Sequence, residues 1–358
     1  MTPANRREQA AQIADAVLYE GYILYPYRPS SVKNRQRWTF GGIYPQAFSA
    51  AQGGSDAWTM QTECLVEGDA ATRVTVAVRF LHIQDRVAGV LDTPVLDLPA
   101  DAALMYQPVA ALQVGETMVH TWQEVTAREI LLPPLRPATL GGPYNEMFSF
   151  PATRAVEAVR GDDGLVTGVI VRVQRALTGQ VAISAAPLDA GLYKLTVQIR
   201  NLTPWLPGAT ERQARDAAAQ QAFVSTHTLL QVQDGAFVSL IDPPVAYAAY
   251  AAACRNVGTW PVLVGTEGER DLLLSSPIIL YDYPQIAPES PGDLFDGTEM
   301  DEILSLRILT MTDDEKQEMR QSDARGRALL ERTETLSAAQ FMKLHGALRT
   351  VRPVETER

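Results

Sequence analysis

The stretch Arg73-Val-Thr-Val-Ala-Val-Arg-Phe80 alternates apolar side chains with polar or small ones. Successive side chains of an extended chain point to opposite faces, so the three valines and Phe80 fall on one face and Arg73 and Thr75 on the other. This period of two predicts a β-strand with one buried face and one solvated face.

Similar patterns continue on both sides, from about residue 58 to residue 280. Two turn sequences stand between such patterns: Gly161-Asp-Asp-Gly164 between residues 154–160 and 165–176, and Asp234-Gly235 between residues 228–233 and 236–241. Each arrangement predicts a β-hairpin, and in the first both glycines should supply positive φ angles. Short strands at this spacing, without alternating strand–helix units, predict an antiparallel sandwich or barrel.

Helical patterns flank this β region. Residues 10–18 carry apolar side chains every three or four positions, which predicts an N-terminal helix. Residues 209–222 and 244–254 predict two helices between strands. Two residue pairs fit the capping box and predict helices near the C-terminus: Thr312 with Glu315, and Ser337 with Gln340.

We therefore expect a β-rich α+β fold, with an antiparallel β-sandwich or barrel-like domain, an N-terminal helix and a C-terminal helical segment. Residues 1–57 should form the N-terminal helix and an Arg/aromatic segment packed on the β domain. Residues 58–283 should form the antiparallel β domain, and residues 292–350 a mostly helical C-terminal segment. A length of 358 residues suits one large β domain with such appendages.

Composition and charge exclude several classes of protein. The formal net charge of −11 argues against a nucleic-acid partner, because the phosphate backbone is bound by basic surfaces. No apolar run has the length of a signal-peptide core or a spanning helix, so we expect a cytoplasmic protein without a membrane partner. Only two cysteines are present, which fits a reducing compartment.

The motifs of common enzyme classes are missing from the sequence. It contains no glycine-rich phosphate loop, no His-Glu-x-x-His, no Cys-x-x-Cys and no nucleophile elbow. No cofactor is indicated by a motif, and a non-enzymatic role is favoured, although an active site reached by convergence needs no motif.

Three residues are candidates for a metal site: Cys64, His82 and Cys254. Cys64 and His82 can meet across neighbouring strands, and thiolate and imidazole are good ligands for transition metals. The alternative is two separate buried thiols and ordinary strand histidines, and it is the interpretation that we favour.

The segment from residue 21 to residue 45 concentrates aromatic and basic side chains. We identify six of them as candidates for binding a partner: Tyr25, Tyr27, Arg28, Arg35, Arg37 and Trp38. Arginine clamps carboxylates and stacks on planar groups, and aromatics with Arg are enriched at protein interfaces. The alternative is that the aromatics are core residues and the arginines are merely solvated.

Two longer stretches resemble an uncharacterised protein family encoded beside NiFe hydrogenases, notably those of the high-affinity actinobacterial type. They are Glu20-Gly-Tyr-Ile-Leu-Tyr-Pro-Tyr-Arg-Pro-Ser-Ser-Val-Lys-Asn-Arg-Gln-Arg-Trp38 and Ser276-Pro-Ile-Ile-Leu-Tyr-Asp-Tyr-Pro-Gln-Ile-Ala-Pro-Glu-Ser-Pro-Gly-Asp-Leu-Phe-Asp-Gly-Thr-Glu299, which runs on through Leu309. The resemblance covers the two ends well and the β-rich middle loosely. It implies an association with hydrogenase biogenesis or assembly, and it brings no catalytic or metal residue.

Three functional hypotheses follow. The first is a non-enzymatic accessory or assembly protein that binds a hydrogenase subunit or maturation factor. The second is a metal-handling or redox enzyme that uses Cys64 and Cys254 with a histidine. The third is a structural β module that self-assembles through sheet edges, which makes a homo-oligomer one of the expected partners.

Overall fold

The computed structural model describes Ala14 and residues 41–99, 104–115, 117–205, 211–284, 308–322 and 324–335. The six candidate partner-binding residues lie outside these ranges: Tyr25, Tyr27, Arg28, Arg35, Arg37 and Trp38. The predicted cap at Ser337 lies outside them as well. Of the predicted N-terminal helix, only Ala14 is described. It is helical, and it is buried in a cluster that includes Ala77 and Leu229.

The described residues form thirteen strands and five α-helices. The strands are β1 Thr59–Val95, β2 Gln107–Val109, β3 Ala111–Val114, β4 Thr117–His120, β5 Trp122–Leu131, β6 Tyr144–Phe150, β7 Thr153–Arg160, β8 Val166–Gln174, β9 Leu177–Asp189, β10 Leu192–Asn201, β11 Val224–Val238, β12 Trp260–Leu263 and β13 Leu272–Ser276. The helices are α1 Gln46–Ala51, α2 Glu211–Ala219, α3 Ala248–Ala252, α4 Asp313–Ser322 and α5 Ala324–Thr335. Eleven strands share one antiparallel sheet and β3 pairs with β4, which confirms the predicted β-rich antiparallel fold.

The long strand β1 is the spine of the sheet. One of its edges pairs in turn with β10, β5 and β2, and the opposite edge pairs with β11 and then β8. The main path of paired strands runs β12-β13-β11-β1-β10-β9-β6. A bridge between Gln61 and Val257 brings the β12 end back against the start of β1, so the sheet folds over on itself in a barrel-like way without closing its strand path.

The inner face of this folded sheet holds the main core. Val74, Val76, Val78 and Phe80 are all buried there, which confirms the alternation in the sequence. The Phe80 ring lies 4.7 Å from that of Phe223, centroid to centroid. Burying one such side chain contributes roughly 1.5–3 kcal/mol, so this face is a principal source of stability.

One predicted hairpin is wrong. Asp234-Gly235 does not reverse the chain, because residues on both sides of it belong to β11 and pair with β1. Asp234 has a φ of +54°, and the pairing passes from Gly68 with Gly235 to Arg73 with Gln233. Four residues of β1 thus lie opposite one residue of β11, which is a bulge and not a turn.

The other predicted hairpin is confirmed, with one change. Strands β7 and β8 pair across residues 161–165 as expected. Of the two glycines, only Gly164 takes a positive φ, +78°, whereas Gly161 is not among the glycines with a positive φ.

Helix α4 begins as predicted. The amide of Glu315 donates to Thr312 Oγ1 at 3.3 Å, and the amide of Thr312 donates to Glu315 Oε2 at 2.8 Å. These two bonds form the predicted capping box at the start of α4. No helix within the described ranges has the length and apolar character needed to cross a lipid bilayer.

Candidate functional site

A cavity of about 450 Å³ opens where the start of β1, helix α2 and strand β12 converge. The residues that give it chemical character come from well-separated parts of the chain. They are Tyr44, Asp56, Met60, Arg215, Asp216 and Trp260. Its size falls within the range usual for ligand sites, roughly 300–1,000 Å³.

The wall made by α2 is fixed by backbone and amide contacts. Ile43 and Phe223 exchange two backbone hydrogen bonds, at 2.9 and 3.0 Å. Asn201, which is buried, donates from Nδ2 to the carbonyls of Ile43 at 2.8 Å and Gln221 at 2.7 Å. Since these bonds join the segment before β1 to the segment after α2, the cavity wall is a rigid part of the sheet.

An ion pair crosses the cavity wall. Arg215 Nη2 lies 3.0 Å from Asp56 Oδ1, with side chains that are 54% and 13% exposed, respectively. The guanidinium is close enough to Tyr44 to lower the pKa of that phenol slightly. Burial, with a smaller effect of the Asp56 carboxylate, raises the pKa of Tyr44 above its ordinary value of 10, so the phenol is neutral at physiological pH.

The remaining charged group of the described lining is Asp216. It follows Arg215 on α2, it is exposed, and it forms no ion pair with any part of the chain that the structure describes. The cavity also includes the buried Met60 and the indole of Trp260, which is 43% exposed. Within the described residues, the site therefore combines one carboxylate that lacks a counter-ion with aromatic and apolar side chains.

A loop beside the cavity carries exposed apolar side chains. Pro277 lines the cavity, and the side chains of Ile279 and Tyr281 beyond it are 73% and 84% exposed. The end of the loop is held against β12, because the Leu263 amide donates to Asp282 Oδ1 at 2.7 Å and the Tyr283 amide donates to the Leu263 carbonyl at 2.7 Å. An anchored loop that exposes two large apolar side chains is typical of a protein-binding surface.

The two cysteines lie on opposite faces of the sheet. Cys64 is buried in the main core. Leu65, the residue after Cys64 on β1, points to the other face of the sheet, and Cys254 packs in the cluster that contains Leu65. Both are free thiols. Burial raises the pKa of Cys64 far above its usual range and raises that of Cys254 to about 11, which disfavours the thiolate that binds metals.

His82 is placed away from both cysteines. It lies on β1 itself, eighteen positions after Cys64, and not on a neighbouring strand. Its Nε2 donates to the carbonyl of Arg175 at 2.9 Å. Within the described ranges no group of three or more His, Cys, Asp or Glu side chains is placed to hold a metal ion, so Cys64, His82 and Cys254 are not brought together as one site.

The sequence alone does not indicate that the cavity residues form a site. Asp56, Arg215 and Trp260 lie in three different segments, and each resembles an ordinary surface residue when read alone. The one signal present was the pair Arg215-Asp216 in a helix otherwise rich in Ala and Gln. Only the long-range pairing of the sheet puts these segments side by side.

Comparison with known proteins does not identify a family for this chain. No protein-family model matches the chain, and no curated protein matches it either. The link to hydrogenase assembly accordingly rests on the sequence resemblance.

Proposed function

We propose that this chain is a non-enzymatic accessory or assembly protein that binds a protein partner, and that the partner is a NiFe hydrogenase subunit or maturation factor. The binding role is carried by one observation, the exposed pair Ile279 and Tyr281 on the anchored loop beside the cavity. The partner class is supported by the resemblance of residues 20–38 and 276–309 to the hydrogenase-associated family.

The position of the exposed pair beside the cavity supports a role in binding a partner. Ile279 and Tyr281 stand two residues apart, close in sequence to the cavity residue Pro277. Aromatic and aliphatic anchors near a pocket contribute most of the binding energy in many interfaces. Because Asp282 holds the end of the loop, little conformational entropy remains to be lost when a partner binds.

The test is affinity capture of the full chain from a host that produces the hydrogenase. The variants are Ile279→Asp with Tyr281→Asp, and Arg35→Ala with Arg37→Ala for the sequence-predicted segment. Met105→Asp is the matched control, because Met105 is also strongly exposed, and its neighbours Leu104 and Tyr106 pack in a separate cluster around Leu91 and Val169. We expect hydrogenase components with wild type and control, and at least fivefold less with the loop variant.

Two results would contradict the proposal. The first is that no hydrogenase component is captured by any of the four proteins. The second is that the loop variant and the Met105→Asp control capture equal amounts of hydrogenase components, which would show that the loop does not bind the partner.

A second candidate function is self-assembly through a sheet edge. Among the described residues, β6 pairs with β9 alone and β7 with β8 alone, so residues 144–160 form a long outer edge. Unpaired edge strands are templates for pairing with another chain. By contrast, the edge at β12 is blunted, because Pro261 has no amide hydrogen and Asp282 occupies the Leu263 amide.

Multi-angle light scattering over a wide concentration range tests this second candidate. Self-assembly predicts a mass that rises with concentration, and Met147→Lys on β6 should lower it, since Met147 is exposed and lysine protects sheet edges. A monomer at every concentration would eliminate the candidate.

A further inference from the structure

We propose that the cavity receives an alkyl-guanidinium or alkyl-ammonium group, the chemistry of an arginine or lysine side chain supplied by the partner. This inference rests on the proposed function, because it names the part of the partner that enters the site. It follows from the charge, the surface and the size of the cavity.

The charges of the cavity lining favour a cation. Its described lining contains two carboxylates, Asp56 and Asp216, and one cation, Arg215. Arg215 is already engaged by Asp56 at 3.0 Å, which leaves Asp216 as the carboxylate that has no counter-ion among the described lining residues. A site with one excess carboxylate, in a chain of net charge −11, attracts cations.

The cavity lining disfavours an anionic ligand. A carboxylate or phosphate would have to replace Asp56 as the partner of Arg215, and the Asp56 side chain is only 13% exposed. It would also meet the repulsion of Asp216 on the same helix. The geometry therefore leaves the Arg215 guanidinium as a structural part of the wall, and not as a free anion receptor.

The cavity also presents aromatic and apolar side chains. Trp260 lines the cavity, and Trp is the best aromatic partner for a cation, while the buried Met60 and Ile83 form an apolar part of the wall beside it. A long side chain with a charged end needs both kinds of contact. The volume of about 450 Å³ is sufficient for such a side chain.

The experiment titrates the full chain with Nα-acetyl-L-arginine amide and, separately, with the citrulline analogue, which has a similar shape but no charge. Calorimetry follows binding, and the indole N–H signal of Trp260, assigned with Trp260→Phe, reports the site. We expect saturable binding of the arginine probe with a Kd of about 1 mM or tighter. The citrulline probe should bind at least tenfold more weakly.

Asp216→Asn should weaken the arginine probe at least tenfold. Asp242→Asn is the matched control, because Asp242 is also exposed and lies outside the cavity, and its substitution makes the same change of charge. Equal affinity of the two variants, or equal affinity for arginine and citrulline probes, would overturn the inference. Both aspartates are on the surface, so the substitutions leave the core intact.

Two further arms identify the source of the cation and separate this inference from the proposed function. Capped Gly-Gly-Arg-Gly-Gly should bind at least as tightly as free agmatine if the group belongs to a polypeptide, and a clear preference for agmatine would overturn that assignment. If the arginine probe fails while wild type still captures hydrogenase components, this inference falls and the proposed function stands. Probe binding without capture falsifies only the proposed function.

Discussion

His82 and His227 are both buried, and each donates one ring N–H to a backbone carbonyl, that of Arg175 and that of Ser225. Burial lowers the pKa of His82 to about 4 and that of His227 to about 3, from an ordinary value of 6.5. Both imidazoles are therefore neutral in the folded protein, whereas the unfolded chain takes up these protons near pH 6.5.

This difference predicts how stability depends on pH. The unfolded state binds more protons below pH 6.5, so the histidine contribution to the free energy of unfolding is fully present above about pH 7. It is lost as pH falls toward 4, by up to about 1.4 kcal/mol per pH unit for each histidine. Urea unfolding between pH 7 and 5 measures the slope.

A double variant supplies the control for this pH dependence. In His82→Gln with His227→Asn, the side-chain amides take the places of the donating ring nitrogens, and neither group titrates. The slope should become clearly shallower than in wild type, because carboxylates contribute equally to both proteins. Identical slopes would show that the imidazoles are not the cause.

The two thiols predict a second residue-scale result. At pH 8 a thiol with a pKa of about 11 is ionised about a hundredfold less than one with the ordinary value of 9. The more basic thiolate is also the better nucleophile, which offsets part of this difference. Cys254 should thus react with a disulfide reagent about tenfold more slowly than a free peptide thiol, and Cys64 only after unfolding. Cys254→Ser should remove the slow phase, and a fast reaction in that variant would contradict the burial of Cys64.

At the scale of elements, the bulge between β1 and β11 shows what local sequence cannot supply. Asp234-Gly235 has the composition of a hairpin turn, but strand β1 pairs with both flanks and keeps them in one strand. Thr72 reinforces the bulge, because its Oγ1 accepts from the Asp69 amide at 2.8 Å and donates to the Asp234 carbonyl at 2.6 Å. The partner of a strand is a long-range property, and a dipeptide signal carries no information about it.

The bulge predicts that Gly235 cannot be replaced. A Cβ at this position would lie 2.6 Å from the Glu67 carbonyl oxygen, which belongs to the backbone of the paired strand. We expect Gly235→Ala to lower the free energy of unfolding by about 1–3 kcal/mol. Gly141→Ala is the matched control, because an added Cβ there meets nothing within 4 Å; similar losses in both variants would contradict the close approach at the bulge.

At the scale of the whole molecule, the sequence was sufficient for the class of fold and not for its arrangement. Period-two runs such as residues 73–80 predict strands because one face must be buried, and the helix at residues 209–222 follows from its own composition. Neither pattern indicates that β1 pairs with five other strands, or that the segment before β12 returns to pair with Gln61. That return brings the cavity residues together from separate segments. No local sequence pattern therefore predicts that they share one site.

The fold-over of the sheet predicts an energetic coupling between distant residues. Thr62 on β1 and Ser275 on β13 are separated by 213 positions, yet their buried hydroxyls lie 2.7 Å apart, and Ser275 Oγ is also 2.7 Å from Thr259 Oγ1. Removing either hydroxyl leaves a buried polar partner with fewer bonds, at a cost of about 1–3 kcal/mol. In a double-mutant cycle, Thr62→Val and Ser275→Ala should therefore be non-additive by at least about 0.5 kcal/mol.

The matched cycle pairs Thr62→Val with Thr121→Ala, because the Thr121 hydroxyl donates to the carbonyl of Val109 at the end of β2. These two sites share no partner, and their effects should add within about 0.5 kcal/mol. Additivity in both cycles would mean that the start of β1 and the end of β13 do not meet. The cavity would then lose the contact that closes it, because Thr59, Met60 and Trp260 are brought together by the same return of the sheet.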